Sequence, residues 1–173
     1  TPHDLRGGDA NDPLVLTDRF WNGQWRKLLM QANRNGYFYV LDRLSGELLL
    51  KEPFVSIVRA DRLGQTEVTC PGVIGATNWM SSSYSPTTEL FYVNALESCD
   101  QEPGTHYLRA LVPMTGEIYW EHKMGSGSMY AGVMSTAGGL VFSGDDAKHF
   151  LALNAYSGEL LWEYDLNESV FAS

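Results

Sequence analysis

Three stretches of this chain carry groups suited to holding a polar ligand. Arg34 stands in "ANRNG", between Asn33 and Asn35 and ahead of Gly36, a crowded polar turn between two apolar runs. A guanidinium there is a fixed cation whose planar donors match a carbonyl or carboxylate. An ordinary hairpin arginine facing solvent has the same local appearance. Asn78 and Trp79 in "GATNWM" join an amide that donates and accepts to the largest flat apolar side chain, although Trp79 alone also reads as core. The backbone from Gly139 through Leu140 to Val141, in "TAGGLVF", is bare enough at its glycine to let a ligand approach. The histidines have no ligand-like spacing, and no nucleophile elbow or phosphate loop is present. The neighbouring Asp145 and Asp146 in "SGDDAKH" read as a surface turn whose carboxylates point in different directions.

The elements that must position these groups are β-strands. Residues 110–120, "ALVPMTGEIYW", and 152–162, "ALNAYSGELLW", share Ala, Gly, Glu and Trp at the same offsets, 42 residues apart. A weaker copy, "VLDRLSGELLL" at 40–50, ends in Leu50 where the others have Trp120 and Trp162. Each copy joins an aromatic and branched run to a second run through a Ser/Thr-Gly turn, the pattern of an antiparallel hairpin. Two more strands precede each hairpin: "PLVLT" and "RKLLMQA", "TNWMSSSYS" and "LFYVNALE", "GVMST" and "GLVFSG". Glycine, serine and proline interrupt every window long enough for a helix.

Three four-stranded units, at 12–52, 72–124 and 128–167, the last two carrying their eleven-residue copies 42 residues apart, point to an all-β partial β-propeller spanning 1–173 as one unit. In this arrangement Trp120 and Trp162 lie between blades and cover the glycine turn of a neighbouring repeat. Propellers usually close with four to eight blades, so three leave two apolar faces open. The chain is therefore expected to complete a ring with missing propeller blades or by self-association.

Composition narrows the function classes. The net charge is −9, from 21 acidic and 12 basic residues, with no basic stripe to attract a nucleic acid. No apolar run approaches the roughly 18 residues a membrane-spanning helix requires, and the chain opens with "TPHDLRGGDAND" rather than a basic and apolar leader. Cys70 and Cys99 cannot supply a four-ligand zinc site, which leaves a disulfide or two buried thiols.

The chain resembles the C-terminal part of the quinoprotein alcohol dehydrogenases, enzymes that depend on pyrroloquinoline quinone (PQQ) and are built on an eight-bladed propeller. The resemblance is carried by "RKLLMQANRNGYFYVLDRLSGELL", "CPGVIGATNWMSSSYSPTTELFYVNALESC" and "STAGGLVFSGDD", and the eleven-residue repeat resembles that family's tryptophan-docking motif. It implies oxidation of a primary alcohol by hydride transfer to the quinone, a Ca²⁺ or lanthanide ion beside the cofactor, a cytochrome c-type electron acceptor and a periplasmic location. Carried over by position, Arg34 would contact the reactive quinone oxygens as the catalytic cation, and Asn78 would bind the cofactor. Trp79 would line the chamber, Gly139, Leu140 and Val141 would approach through their backbone, and Cys70 and Cys99 would form a disulfide. No residue of the chain is assigned to the metal. The family's catalytic aspartate and metal ligands fall on blades outside this sequence, so the chain alone is expected to give no turnover. Departures are Arg6 and Gly7 in "HDLRGGD", the six residues between Cys99 and His106 where relatives often carry a long excursion, and Ala147-Lys148. The alternative is a non-catalytic propeller scaffold or an oligomeric binding module.

Overall fold

A computed structural model describes residues 10–58, 69–100, 103–126 and 130–171. The expected "HDLRGGD" segment lies outside the described residues. Twelve strands form three separate four-stranded antiparallel sheets, each a meander with neighbouring strands consecutive in sequence. The first blade is β1 (Val15–Trp21), β2 (Gln24–Ala32), β3 (Tyr37–Asp42) and β4 (Leu48–Pro53). The second is β5 (Ser83–Ser85), β6 (Leu90–Glu97), β7 (Thr105–Leu111) and β8 (Ile118–Gly125). The third is β9 (Met134–Ser135), β10 (Leu140–Gly144), β11 (His149–Asn154) and β12 (Leu160–Asp165).

Two of the differences from the sequence expectation have a local cause. β1 runs past Thr17 to Trp21 and meets Gln24 across an Asn22-Gly23 turn, with both φ angles positive at 45° and 90°. This is the two-residue connection whose twist suits a hairpin. In the other direction, "TNWMSSSYS" gives a strand only at Ser83–Ser85, because Asn78 spends its side chain on local backbone groups. Such bonds compete with a ladder.

Side-chain alternation along β6 builds both cores. Phe91, Val93 and Ala95 face the first blade and join Leu28, Met30, Phe38, Val40 and Phe54, with the Phe38 and Phe91 rings 4.9 Å apart. Leu90 and Tyr92 face the third and join Leu108, Trp120, Val141, Leu151 and Leu153. One strand with period-2 alternation is thereby buried on both faces.

Of the two expected docking residues, Trp120 lies between these blades. Trp120 is 8% exposed, and a Cβ added to Gly158 would come 2.6 Å from its Cε3. Its Nε1 donates to Ala155 O at 3.0 Å. In the first blade Glu52 crowds the corresponding glycine, since a Cβ on Gly116 would lie 2.5 Å from Glu52 Cβ, with Leu50 Cδ2 behind it at 3.5 Å. Trp162 differs: it is 49% exposed and stacks on Tyr164 of its own strand at 6.0 Å, covering no glycine turn among the described residues. The reason is positional, because β12 is the outer strand of the third blade and no other sheet packs against it among the described residues. On the first blade, Leu16, Phe20 and Trp25 are exposed as well.

Arg109 ties the first two blades together from within. Its Nη1 donates to Phe54 O at 2.5 Å and to Glu97 Oε1 at 2.8 Å, and its Nε donates to Glu121 Oε2 at 3.0 Å. Burial would raise the Glu97 carboxyl, but bonds from Ser56 N and Arg109 outweigh it and hold that group below its usual range.

Candidate functional site

The β2–β3 turn is fixed by its own asparagines. Asn33 Oδ1 accepts from Asn35 N at 3.0 Å, and Asn35 Oδ1 accepts from Tyr37 N at 3.1 Å. Gly36 closes the turn with φ 88°, where an added Cβ would meet Ile57 Cδ1 at 2.5 Å and Val55 Cγ2 at 2.8 Å. Arg34 therefore projects from a rigid turn, not a mobile hairpin tip.

Its partner is the connection from the first blade to the second. Cys70 and Cys99 form a disulfide with Cα atoms 4.3 Å apart, as the resemblance implied. Around it, Gly72 N donates to Ser98 O at 3.0 Å and Asp100 N to Thr69 O at 2.8 Å. The pinned segment reaches across to Arg34, whose Nη2 donates to Val73 O at 2.5 Å and whose carbonyl accepts from Ala76 N at 2.9 Å. Gly75, at φ 90°, packs against the arginine's aliphatic stem where a larger residue would clash. Asn78 belongs to the same assembly. Its Nδ2 donates to Ile74 O at 3.2 Å, while its Oδ1 accepts from Trp79 N at 2.9 Å and Asn11 Nδ2 at 3.1 Å. Trp79 follows with its side chain half exposed, so it is not core.

Two site residues had no signal of their own in the sequence. Asn11 bonds Asn78, and Asp12 accepts from Arg34 N through Oδ2 at 3.0 Å. Asp12 is 6% exposed and its Oδ1 is buried without a hydrogen-bond partner. Burial raises its pKa from 3.8 to about 6, against the lowering effect of the Arg34 bond and charge. Only contact with the distant β2–β3 turn distinguishes this Asp from any other before a strand.

The segment Gly139–Val141 is not brought to this assembly. In an antiparallel blade, the turn from first to second strand lies at the end opposite the turn from second to third. Gly139 is in the β9–β10 turn, whereas Arg34 is in the β2–β3 turn, and the length of β10, five residues or about 17 Å, separates the two ends. Its φ of 77° and the bond from Ala155 N to its carbonyl at 2.9 Å account for the glycine as a turn residue. Leu140 begins β10, and Val141 is wholly buried between the second and third blades. Counting strand reversals in the sequence would have separated these groups.

Asp145 and Asp146 diverge as expected but are not a plain surface turn. Asp145 Oδ2 lies 2.9 Å from His149 Nδ1, and Asp146 Oδ1 lies 3.5 Å from the buried His106 Nδ1. Among the described residues, no three His, Cys, Asp or Glu side chains are grouped to hold a metal ion. At the Arg34 end, the donor set comprises a fixed cation, an anchored amide and an accessible indole. It fits a flat, acidic, oxygen-rich ligand such as PQQ and offers a hard cation no cage.

Comparison with known proteins gives the kinship of the chain. The family model described as outer membrane protein assembly factor BamB matches residues 104–173, the repeat-bearing part and not the Arg34 assembly. The chain is 30% identical to quinoprotein ethanol dehydrogenase of Pseudomonas putida and 32% to that of Pseudomonas aeruginosa, each over 98% of the chain. It spans 35% of the length of either relative. Among solved structures, quinohemoprotein alcohol dehydrogenase ADHIIG from Pseudomonas putida HK5 superposes with TM-score 0.79 at 27% identity, covering 93% of this chain and 32% of that one. The quinohemoprotein alcohol dehydrogenase from Comamonas testosteroni gives TM-score 0.81 at 25% identity, covering 93% and 31%. By homology over nearly its whole length and by the three propeller blades it forms, the chain is a relative of the quinoprotein alcohol dehydrogenases, corresponding to about a third of such a protein.

Proposed function

We propose that this chain builds one side of a PQQ chamber in a PQQ-dependent dehydrogenase that oxidises primary alcohols. The observation that carries the reading is the convergence of Arg34 and Asn78 on residues 73–76, a segment locked by the Cys70–Cys99 disulfide. PQQ, when bound, supplies an electrophilic ortho-quinone that accepts hydride from the alcohol carbon. Arg34 offers that group a preorganised positive charge, worth more in a water-poor site than in solution because it needs no reorientation as negative charge develops. Asn78 holds a ligand polar edge, and Trp79 offers an apolar face that excludes water. The residues that take the alcohol proton and hold a Ca²⁺ or lanthanide ion would come from the rest of the propeller, so the chain by itself gives no turnover. A periplasmic location and a cytochrome c-type acceptor complete the reading, supported by the kinship to quinoproteins and quinohemoproteins.

The test is titration of the chain, and of the chain joined to the missing blades of a relative, with PQQ, following quenching of tryptophan fluorescence. Saturable quenching that is lost in Arg34→Ala is expected. Quenching that is absent in both proteins, or unaffected by Arg34→Ala, would overturn the proposal. A scaffold role is the second reading, favoured by the BamB-type match across residues 104–173; it predicts no quinone binding.

A further inference from the structure

A cleft of about 260 Å³ lies at the boundary of the second and third blades, apart from the Arg34 turn of the first. His106, the second residue of β7, and Asp146, in the β10–β11 turn, both line it. Local contacts hold the two in place. Asp146 N donates to Met124 O at 3.3 Å, which ties the turn of the third blade to β8 of the second. A Cβ added to Gly125 would come 3.0 Å from Asp146 Oδ2, so β8 packs against the carboxyl. The neighbouring Asp145 is already engaged: one oxygen accepts from His149 N at 2.8 Å and the other faces His149 Nδ1 at 2.9 Å. His106 is not. It is 1% exposed, and neither ring nitrogen has a hydrogen-bond partner. Asp146 Oδ1 stands 3.5 Å from its Nδ1 without making a hydrogen bond, and Asp146 Oδ2 is likewise buried without one. Folded proteins rarely leave three such atoms unmatched in one place.

We infer that this cleft binds a small neutral polyol through hydroxyls on adjacent carbons, one donating to Asp146 and the next bonding to His106. The wall chemistry selects this class. An anion would face two carboxylates, and no lysine or arginine lines the cleft among the described residues. A metal ion would lack ligands, since no third His, Cys, Asp or Glu joins the pair among those residues. An organic ammonium ion would satisfy Asp146 but only half of His106, because a neutral imidazole presents one N–H and one lone pair and an ammonium can only donate. A hydroxyl both donates and accepts, so a pair of them matches every open atom. The 3.5 Å between the two wall groups calls for hydroxyls on neighbouring carbons. At the mouth, the exposed rings of Tyr130 and Phe171 lie 5.2 Å apart and offer an apolar surface to the C–H face of such a molecule. The exposed Ser126 and Ser169 stand beside them with further hydroxyls. The volume falls just below the roughly 300 to 1,000 Å³ of sites for drug-sized ligands, which suits a molecule the size of glycerol. The inference is independent of the quinone reading, because none of these residues touches the Arg34 assembly.

The test is a glycerol titration of the full chain carrying ¹³C-labelled histidine, followed by nuclear magnetic resonance. The His106 ring signal, identified by its loss in His106→Gln, should shift saturably with glycerol. It should respond far less to 1,3-propanediol, which has the same carbon chain without adjacent hydroxyls, and to ethylammonium chloride. Asp146→Asn should weaken glycerol binding about tenfold or more, the scale of one hydrogen bond to a charged group. Tyr130→Ala, at an exposed position outside both cores, should weaken it roughly threefold, the scale of an aromatic contact. If Asp146→Asn loses the β-sheet signal in circular dichroism, Tyr130→Ala decides. A His106 signal that glycerol leaves unmoved shows that the cleft takes up water only and overturns the inference. So does an equal or larger response to ethylammonium or to 1,3-propanediol, or a glycerol affinity unchanged in the folded variants.

Discussion

Truncation of Trp120 is the sharpest stability test of the blade arrangement. A tryptophan buries up to about 250 Å² of side chain, and Trp120 is only 8% exposed. At about 25 cal/mol per Å² that burial is worth at most ~5 kcal/mol. The hydrogen bond from Nε1 adds about 1 kcal/mol, but removing it leaves no orphan, because Ala155 O still accepts from Tyr92 OH at 3.0 Å. Trp120→Ala should therefore cost about 4 kcal/mol, within the usual range for such a cavity. Trp162→Ala, at a half-exposed site with no docking bond, should cost about 1 to 2 kcal/mol. Gly158→Ala should cost about 2 to 4 kcal/mol, from a clash with the indole and from positive φ. If the indole is the cause of the clash, most of that penalty disappears when Trp120 is already alanine, a coupling that a double-mutant cycle reads directly. Urea denaturation followed by far-UV circular dichroism gives all four values. Equal losses at Trp120 and Trp162, or additive effects of Trp120→Ala and Gly158→Ala, would refute the reasoning.

Other expectations follow from single features. Replacing both Cys70 and Cys99 by serine should lower stability by about 3 to 4 kcal/mol in the chain-entropy account of a loop this long, read as a drop in the urea midpoint that reductant reproduces in the wild type. Arg109→Ala strands Glu97, Glu121 and the Phe54 carbonyl, and should cost about 3 to 5 kcal/mol; a loss under about 1 kcal/mol would show the network to be dispensable. Asp12 binds its proton more tightly when folded than when unfolded, so its contribution is favourable at low pH and is lost as pH rises from 3.8 through about 6. Asp12→Asn should accordingly exceed the wild type by about 2 kcal/mol at pH 7.5 and match it near pH 4, as measured by urea titrations at both values. Glu97 acts in the opposite sense: its lowered pKa supports the fold above 4.5 and is lost on acidification through the folded value.

The hairpins β3–β4, β7–β8 and β11–β12 were legible because their signal is local: alternating apolar residues, then a glycine able to take positive φ. The same logic gave the role of Trp120, since a repeat offset fixes which turn meets which indole. The boundary errors were local as well. The Asn22-Gly23 pair is itself a hairpin signal that extends β1, and the side-chain bonds of Asn78 removed a strand that composition alone allowed. Arg34 and Asn78 were found by residue type and resemblance, yet their bonds to one pinned segment are formed between residues about 40 apart in sequence at Arg34 and only four apart at Asn78.

By itself, the sequence determined the repeat, the all-β class, the docking of Trp120 and the kinship with quinoproteins, because each depends on short-range pattern or on order along the chain. Tertiary structure alone decided that Asp12 lies buried against Arg34, that Arg109 bridges two blades, and that Gly139 sits at the far end from Arg34. The physical reason is that burial and charge pairing depend on the distance between atoms in space. Antiparallel strands bring together residues far apart in the chain and send neighbouring turns to opposite ends.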